Sequence, residues 1–274
     1  MQSIHAPTII EMLCDQSPET EPQCKFKNNV TINRGEHMKL KGKVIEREEL
    51  GSRDIEEMYQ LMTEFYDNVE RDTFLKDLSD KKYCIILRDE QGSIKGFSTQ
   101  KIVNFEIDGK EIYGIFSGDT IIHKSSWGSL ELFRTFADFF FDVGESYEEF
   151  YWFLIVKGYK TYKILPAFFK EFYPNCLIET PEQMKKIMDS FGENFYPDEY
   201  NRETGVIEYK KIKDKLKEGV ADITERRLRD RDIKFFQERN PEYFRGNDMV
   251  CITRLKRENL LDEVKPLLSM EREK

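Results

Sequence analysis

The sequence predicts an α/β (α+β) fold: a mixed, mostly antiparallel central sheet with one parallel strand–helix–strand unit, flanked by helices. Three observations predict it. Residues 83–88, 93–106 and 111–123 read as consecutive strands joined by tight turns, Asp89-Glu90-Gln91-Gly92 and Asp108-Gly109, so they pair antiparallel. Residues 130–143 set Leu130, Phe133, Phe136, Ala137, Phe140 and Phe141 at helical spacing. Residues 150–156 are seven apolar residues in a row, and a helical crossover makes that strand parallel to the one before it.

The remaining elements follow in chain order. Residues 1–37 carry Pro7, Pro18 and Pro22 and no sustained period, which predicts a flexible arm. The codons of Arg34-Gly35-Glu36-His37-Met38 can spell a purine-rich ribosome-binding site before a start codon, so a natural start at Met38 is one expectation and an ordinary arm the other. Residues 40–48 alternate loosely and read as the first strand. Asp54 and Glu57 resemble a capping pair. Behind them Ile55, Met58, Met62, Phe65 and Tyr66 follow helical spacing, and residues 71–78 read as a second, shorter helix. Residues 159–172 hold a helical pattern containing Pro166, which predicts a kink or a helix starting at about Leu165. Thr180-Pro181-Glu182-Gln183 is a helix start, with the helix running to about Phe191 and stopping at Gly192. Beyond it, 205–212 and 249–255 read as strands, and 230–238 and 257–268 as helices. The expected division is an arm over 1–37, a core domain over 38–178 and an α/β extension over 179–274.

Composition narrows the function. The 274 residues carry a formal charge of −9, which disfavours non-specific nucleic-acid binding. No apolar run approaches the ~20 residues of a membrane span, and the N-terminus lacks a secretory pattern. Five widely spaced cysteines without a CxxC pair predict reduced thiols in the cytoplasm, and three histidines leave little material for a metal site. The 21 Phe and 13 Tyr supply core area.

The residues that bear chemistry gather around residues 113–162. Lys124, Ser125, Ser126, Gly128 and Ser129 precede a predicted helix, whose N-terminus suits a phosphate; the same residues also suit plain helix capping. Strand parity puts Tyr113, Ile115, Ser117, Asp119, Ile121 and His123 on one face, unless Gly118 marks a bulge. Asp119 and His123 are candidate bases that would take a proton from an attacking amine, against structural roles for each. Tyr159 and Tyr162 lie just beyond the end of strand 150–156, where open sheets place ligands; they are candidate proton donors or core residues. Trp127 either stacks on a ligand or packs, Lys157 pairs with a phosphate or with acids, and the arginines between Arg226 and Arg231 form a solvated face or a dock for an acidic carrier protein. Cys84 and Cys176 have no histidine partner, which disfavours a covalent acyl-enzyme.

In its order of elements, residues 38–174 resemble the GNAT superfamily of acyl-CoA N-acyltransferases. The matching stretch is Asp119-Thr-Ile-Ile-His-Lys-Ser-Ser-Trp-Gly-Ser-Leu-Glu-Leu132. In that superfamily a strand parts from its parallel neighbour, and the loop after it holds the cofactor pyrophosphate. The resemblance therefore implies that Ile121, Ile122, Lys124, Ser125, Ser126, Trp127, Gly128 and Ser129 contact acetyl-CoA or another acyl-CoA, with a carrier-protein thioester as the alternative donor. It implies transfer of the acyl group to a small-molecule amine by direct attack, with Asp119, His123, Tyr159 and Tyr162 as catalytic candidates and no metal. The motif departs from the family's: aligned through His123, its basic position falls on Trp127 and its small positions on Leu130 and Leu132. Phe169 stands where the family's acidic Tyr is frequent. Two alternatives follow from those departures: an inactive module of this fold that binds a ligand or partner protein, and a carrier-dependent N-acyl amino acid synthase-like enzyme.

Overall fold

The computed structural model describes residues 39–127, 129–211 and 213–269. The arm over 1–37, the Met38 start and Gly128 lie outside them. Strand β1 (Lys41–Glu46) leads to helix α1 (Ser52–Phe65), short β2 (Tyr66–Asp67) and α2 (Arg71–Ser79). The meander follows as β3 (Tyr83–Arg88), β4 (Ile94–Ile107) and β5 (Lys110–Ile122). The crossover helix α3 (Glu131–Gly144) then delivers β6 (Phe150–Val156). After it come α4 (Tyr159–Tyr162), α5 (Ile164–Phe168), β7 (Phe172–Tyr173), α6 (Glu182–Phe195), the short strands β8 (Tyr200–Asn201), β9 (Val206–Ile207) and β10 (Lys215–Leu216), α7 (Arg231–Arg239), β11 (Asp248–Arg254) and α8 (Lys265–Ser269).

The sheet runs β1-β3-β4-β5-β6-β11-β9-β8, with β7 also on β11, while β10 pairs with β2 apart from it. Pairing is antiparallel throughout except between β5 and β6, as the crossover predicts. Alternation along the strands splits the core by face. Ile85, Leu87, Trp152 and Leu154 pack under Phe136 and Phe140 of α3. On the other face Cys84, Ile86 and Phe97 meet Met58, Met62 and Phe65 of α1. There too Tyr151 and Phe153 meet α6, where Phe153 stacks on Phe191 at 4.7 Å between ring centroids.

The turn chemistry matches the sequence pattern. Asp108 and Gly109 both take positive φ, 51° and 78°, which turns β4 into β5. Packing overrides other local signals. Asp54 and Glu57 do not cap α1, which starts at Ser52. Glu57 instead accepts from the Ile94 amide at 2.9 Å and Asp54 pairs with Arg88 at 2.8 Å, so both tie the helix to the meander. Helix α6 does not stop at Gly192. A side-chain carbon there would sit 2.4 Å from the Tyr200 ring, so this glycine gives room to a neighbour. The break expected at Pro166 does occur, the second of two short helices starting at Ile164, while the helix expected over 257–268 is reduced to a 3-10 turn at Arg257–Asn259 and α8. The expected strand over 205–212 is reduced to β9.

Strand β11 carries the most weight for the site. It pairs along its whole relevant length with β6, from Met249 opposite Val156 to Arg254 opposite Tyr151. The C-terminal extension thus supplies an inner strand of the main sheet. No helix among the described residues is long and apolar enough to cross a membrane.

Candidate functional site

The parallel pairing of β5 and β6 ends at Ser117 opposite Leu154. Beyond it β5 continues to Ile122, and the two strands part. The cause lies in β5. Ser98 of β4 opposes Thr120 and Gln100 opposes Ser117, so β5 holds one extra residue between them. Such a bulge bends the strand and sharpens its twist. A buried polar chain pins the point of divergence. The Trp152 Nε1 donates to Ser117 Oγ at 2.8 Å, Ser117 Oγ donates to Gln100 Oε1 at 2.7 Å, and Gln100 Nε2 donates to Ser98 Oγ at 2.8 Å. Ser98 and Thr120 hydroxyls close the chain at 2.6 Å.

The bulge also corrects the expected single face. Ser117 points to Trp152 on the α3 side, whereas Ile121 packs with Phe97 on the α1 side. The extra residue reverses side-chain parity between them. Gly118 gives room here: a side-chain carbon on it would lie 2.7 Å from Thr99 Oγ1 and 2.8 Å from Lys81 Cε.

A cleft of about 440 Å³ opens where the strands part. One wall is mainly apolar, with Ile122, Trp127, Phe136, Trp152 and Ile164. Lys160 covers that wall's Trp127, its ammonium 4.1 Å from the ring centroid. The rest of the lining is charged and phenolic. Tyr66, Asp77 and Lys81 come from the α1–α2 region, and Tyr196, Tyr209, Asp214 and Asp248 from the extension.

Asp119 lies on the cleft floor. Part of its surface reaches the cleft, yet its carboxyl is pushed up to about 6, by burial first and then by Asp214, with Lys81 acting the other way. It makes no hydrogen bond among the described residues. The phenols around it are held well above their usual range: Tyr66 by burial and then Asp119, Tyr196 by burial and then Asp248. They are hydrogen-bond donors at any working pH. Behind them Lys157 donates to Asp248 Oδ2 at 3.1 Å and to the Gly246 carbonyl at 3.0 Å, and lies 3.5 Å from Asp214. Burial works to lower its pKa, but Asp248 and Asp214 outweigh that and raise it. Of the two expectations for Lys157, the acidic partners are the ones present.

The other sequence candidates are dispersed. His123 does not line the cleft. Its Nδ1 accepts from the Ser125 amide at 3.2 Å and contacts Ser125 Oγ at 2.7 Å, while Nε2 faces Glu64 at 3.7 Å. It caps the turn formed by Lys124, Ser125 and Ser126. Tyr162 is fully buried against Phe172 and Phe236, and its hydroxyl donates to the Pro174 carbonyl at 3.0 Å. Tyr159 is also buried, under Arg227. Both tyrosines sit behind the cleft wall because the short α4 turns them into the α7 side of the core. Ile121, Ile122 and Trp127 line the cleft, and the Trp127 Nε1 donates to the Ile122 carbonyl at 2.8 Å.

Lys124, Ser125, Ser126 and Ser129 lie outside the lining. Their turn spends its amides on itself: Ser126 N on His123 O, Trp127 N on Lys124 O and Ser129 N on Ser126 O. Glu131, buried in the first turn of α3, accepts from the Gly42 amide at 2.9 Å. The sequence pattern missed Tyr66, Lys81, Tyr196, Tyr209, Asp214 and Asp248, which come from separate segments with no shared spacing. The one local signal was Gly118-Asp119 inside an apolar strand. Among the described residues no cluster of His, Cys, Asp and Glu could hold a metal ion.

No family model and no curated protein matches the sequence. Solved structures match parts of it. One is a conserved protein of unknown function from Enterococcus faecalis V583, described as a probable N-acyltransferase, at 12% identity over 48% of this chain and 33% of that chain, TM-score 0.37. A GNAT family N-acetyltransferase from Escherichia coli in complex with CoA matches at 10% identity over 43% of this chain and 64% of that chain, TM-score 0.32. A glucosamine-6-phosphate N-acetyltransferase from Arabidopsis thaliana matches at 14% identity over 38% and 75%, TM-score 0.28. This chain spans a third of the length of the first of these and under two thirds of the second.

Proposed function

We propose that the cleft transfers an acyl group from a thioester, borne by CoA or by a carrier protein, to an amine. The observation that carries this reading is a half-buried carboxylate, Asp119, with a pKa of about 6 at the point where two parallel strands part. An attacking amine must lose a proton, and a base with a pKa near the working pH takes it best. The thioester supplies an activated acyl carbon. The apolar wall of Trp127, Trp152 and Ile164 holds the arm and excludes water, and the hydroxyls of Tyr66 and Tyr196 face the same space as donors. His123 acts through the turn it caps, as a positioning residue. Because Ser126, Trp127 and Ser129 spend their amides within the turn, a carrier-borne arm is the favoured donor form.

The test is thiol release from acetyl-CoA, a long-chain acyl-CoA and an acyl carrier-protein thioester, each with an amine panel. Asp119→Asn is expected to lower kcat by about 10²–10⁴-fold while the fold persists by circular dichroism. No release from any donor with any amine overturns the reading and leaves a ligand-binding module of this fold.

A further inference from the structure

The hydrogen-bond chain at the fork runs in one direction, and elementary chemistry fixes which. An indole Nε1 can only donate, so Ser117 Oγ accepts from Trp152, and the single Ser117 proton goes to Gln100 Oε1. The Gln100 amide is thereby oriented, oxygen toward Ser117 and nitrogen toward Ser98, where Nε2 donates to Oγ at 2.8 Å. Ser98 is fully buried. Its own proton has one acceptor among the described residues, Thr120 Oγ1 at 2.6 Å. Were Thr120 to donate to Ser98 instead, the Ser98 proton would be buried without a partner, at a cost of about 1–3 kcal/mol. Thr120 therefore accepts, and its own proton is left over. Among the described residues only the Gly118 carbonyl is in reach of it, at 3.4 Å, which is long for an O–H donor.

Thr120 lines the cleft and is tied through the chain to Trp152, on the side that also carries Ile122, Phe136 and Ile164. In that apolar surrounding a hydroxyl donor is worth more than in water. The four bonds that lead to it all point the same way, and each polarises the next. The adjacent residue is Asp119, so the donor and the proposed base stand on Cα atoms about 3.8 Å apart.

We infer that Thr120 is a catalytic residue whose hydroxyl donates a hydrogen bond to the acyl carbonyl oxygen of the thioester; the inference rests on the acyl transfer proposed above. As the amine nitrogen bonds to the acyl carbon, the carbonyl π pair moves onto oxygen. A donor already fixed in place stabilises that charge as it develops. The pair returns when the C–S bond breaks and the sulfur leaves with its electrons. The amine proton taken by Asp119 ends, in the net reaction, on the sulfur. Thr120 keeps its proton throughout.

The experiment measures thiol release with the donor and amine panel in the wild-type protein, Thr120→Val and Thr120→Ser. Thr120→Val keeps the side-chain volume and loses the hydroxyl. It is expected to lower kcat about 10²–10³-fold with KM for the donor little changed, and Thr120→Ser to regain most of the loss. A second readout is infrared absorption of an uncleavable analogue of the donor used, with CH2 in place of sulfur and ¹³C in the carbonyl. Bound to the wild-type protein, its carbonyl band is expected nearer its frequency in water than in hexane, and Thr120→Val should move it toward the hexane value. Wild-type kcat in Thr120→Val overturns the inference, and so does a loss carried by KM alone. A hexane-like band in the wild-type protein overturns it without any variant, so a variant that fails to fold does not shield it. Thiol release that survives Thr120→Val sinks the role of Thr120 and keeps acyl transfer. No release by the wild-type protein from any donor sinks acyl transfer, and the role of Thr120 with it.

Discussion

Asp119 stores a cost that depends on pH. Its ordinary carboxyl pKa is 3.8 and burial raises it to about 6 in the fold. Well below pH 3.8 both states carry the proton and the site costs nothing. Above pH 6 the folded protein must hold a buried charge that the unfolded chain holds in water, so stability falls across that window. Asp119→Asn removes the penalty. It is expected to raise Tm relative to wild type at pH 7.5 and to leave the difference near zero well below pH 3.8, measured by calorimetry at both. Under the proposed acyl transfer, activity runs the other way: kcat/KM should rise with pH through about 6 and then level off, and lose that rise in Asp119→Asn. Asp119 is legible in the sequence as a polar residue inside an apolar strand. Tyr66, Tyr196 and Lys81 are not, because each sits in a segment that reads as ordinary amphipathic helix, loop or strand edge, and only the folded chain brings them to Asp119.

At the scale of elements, two glycines make room for their neighbours. Gly118 lets Lys81 and Thr99 close on the bulge, and Gly192 lets α6 pass under the Tyr200 ring. Gly192→Ala is expected to cost about 1–3 kcal/mol by overpacking, read as a lower denaturation midpoint, with kcat little altered. The meander, its Asp108-Gly109 turn and the crossover are plain from period and turn residues. The helix stop expected at Gly192 does not occur, because a glycine that yields space to a ring and a glycine that ends a helix look alike in one dimension. The bulge is legible only as an alternative attached to Gly118. Its registry follows from pairing with β4, which no local pattern states.

For the whole molecule the question is what the extension adds. Lys157 on the β6 side and Asp248 and Asp214 from the extension form one buried charge group. Lys157→Met leaves the buried Asp248 carboxylate without its cation, while Asp214 keeps Lys213 at 3.4 Å, and should cost about 3–5 kcal/mol, visible in urea unfolding. A chain ending at residue 178 would lose β11 and bare the edge of β6, where Tyr151, Trp152, Phe153 and Leu154 are buried. Such a chain is expected to be insoluble or protease-sensitive when expressed, in contrast to the full chain. The sequence does not reveal this, since a strand so late in the chain carries no mark of the partner it will choose.

That choice has a consequence for how the protein comes into being. Val156 pairs with Met249, about 90 residues later in the chain. During synthesis the β6 edge leaves the ribosome long before its neighbour does, and the charged wall has nothing to stand on until the last strand docks. Closing so long a loop is slow compared with local helix or hairpin formation. The nascent chain therefore passes through a stage with a bare, aromatic strand edge, the kind of surface that chaperones hold and that aggregation finds. The ligand cleft is among the last things to exist, and a ribosome-stalled chain should acquire ligand binding only once residue 254 has cleared the exit tunnel.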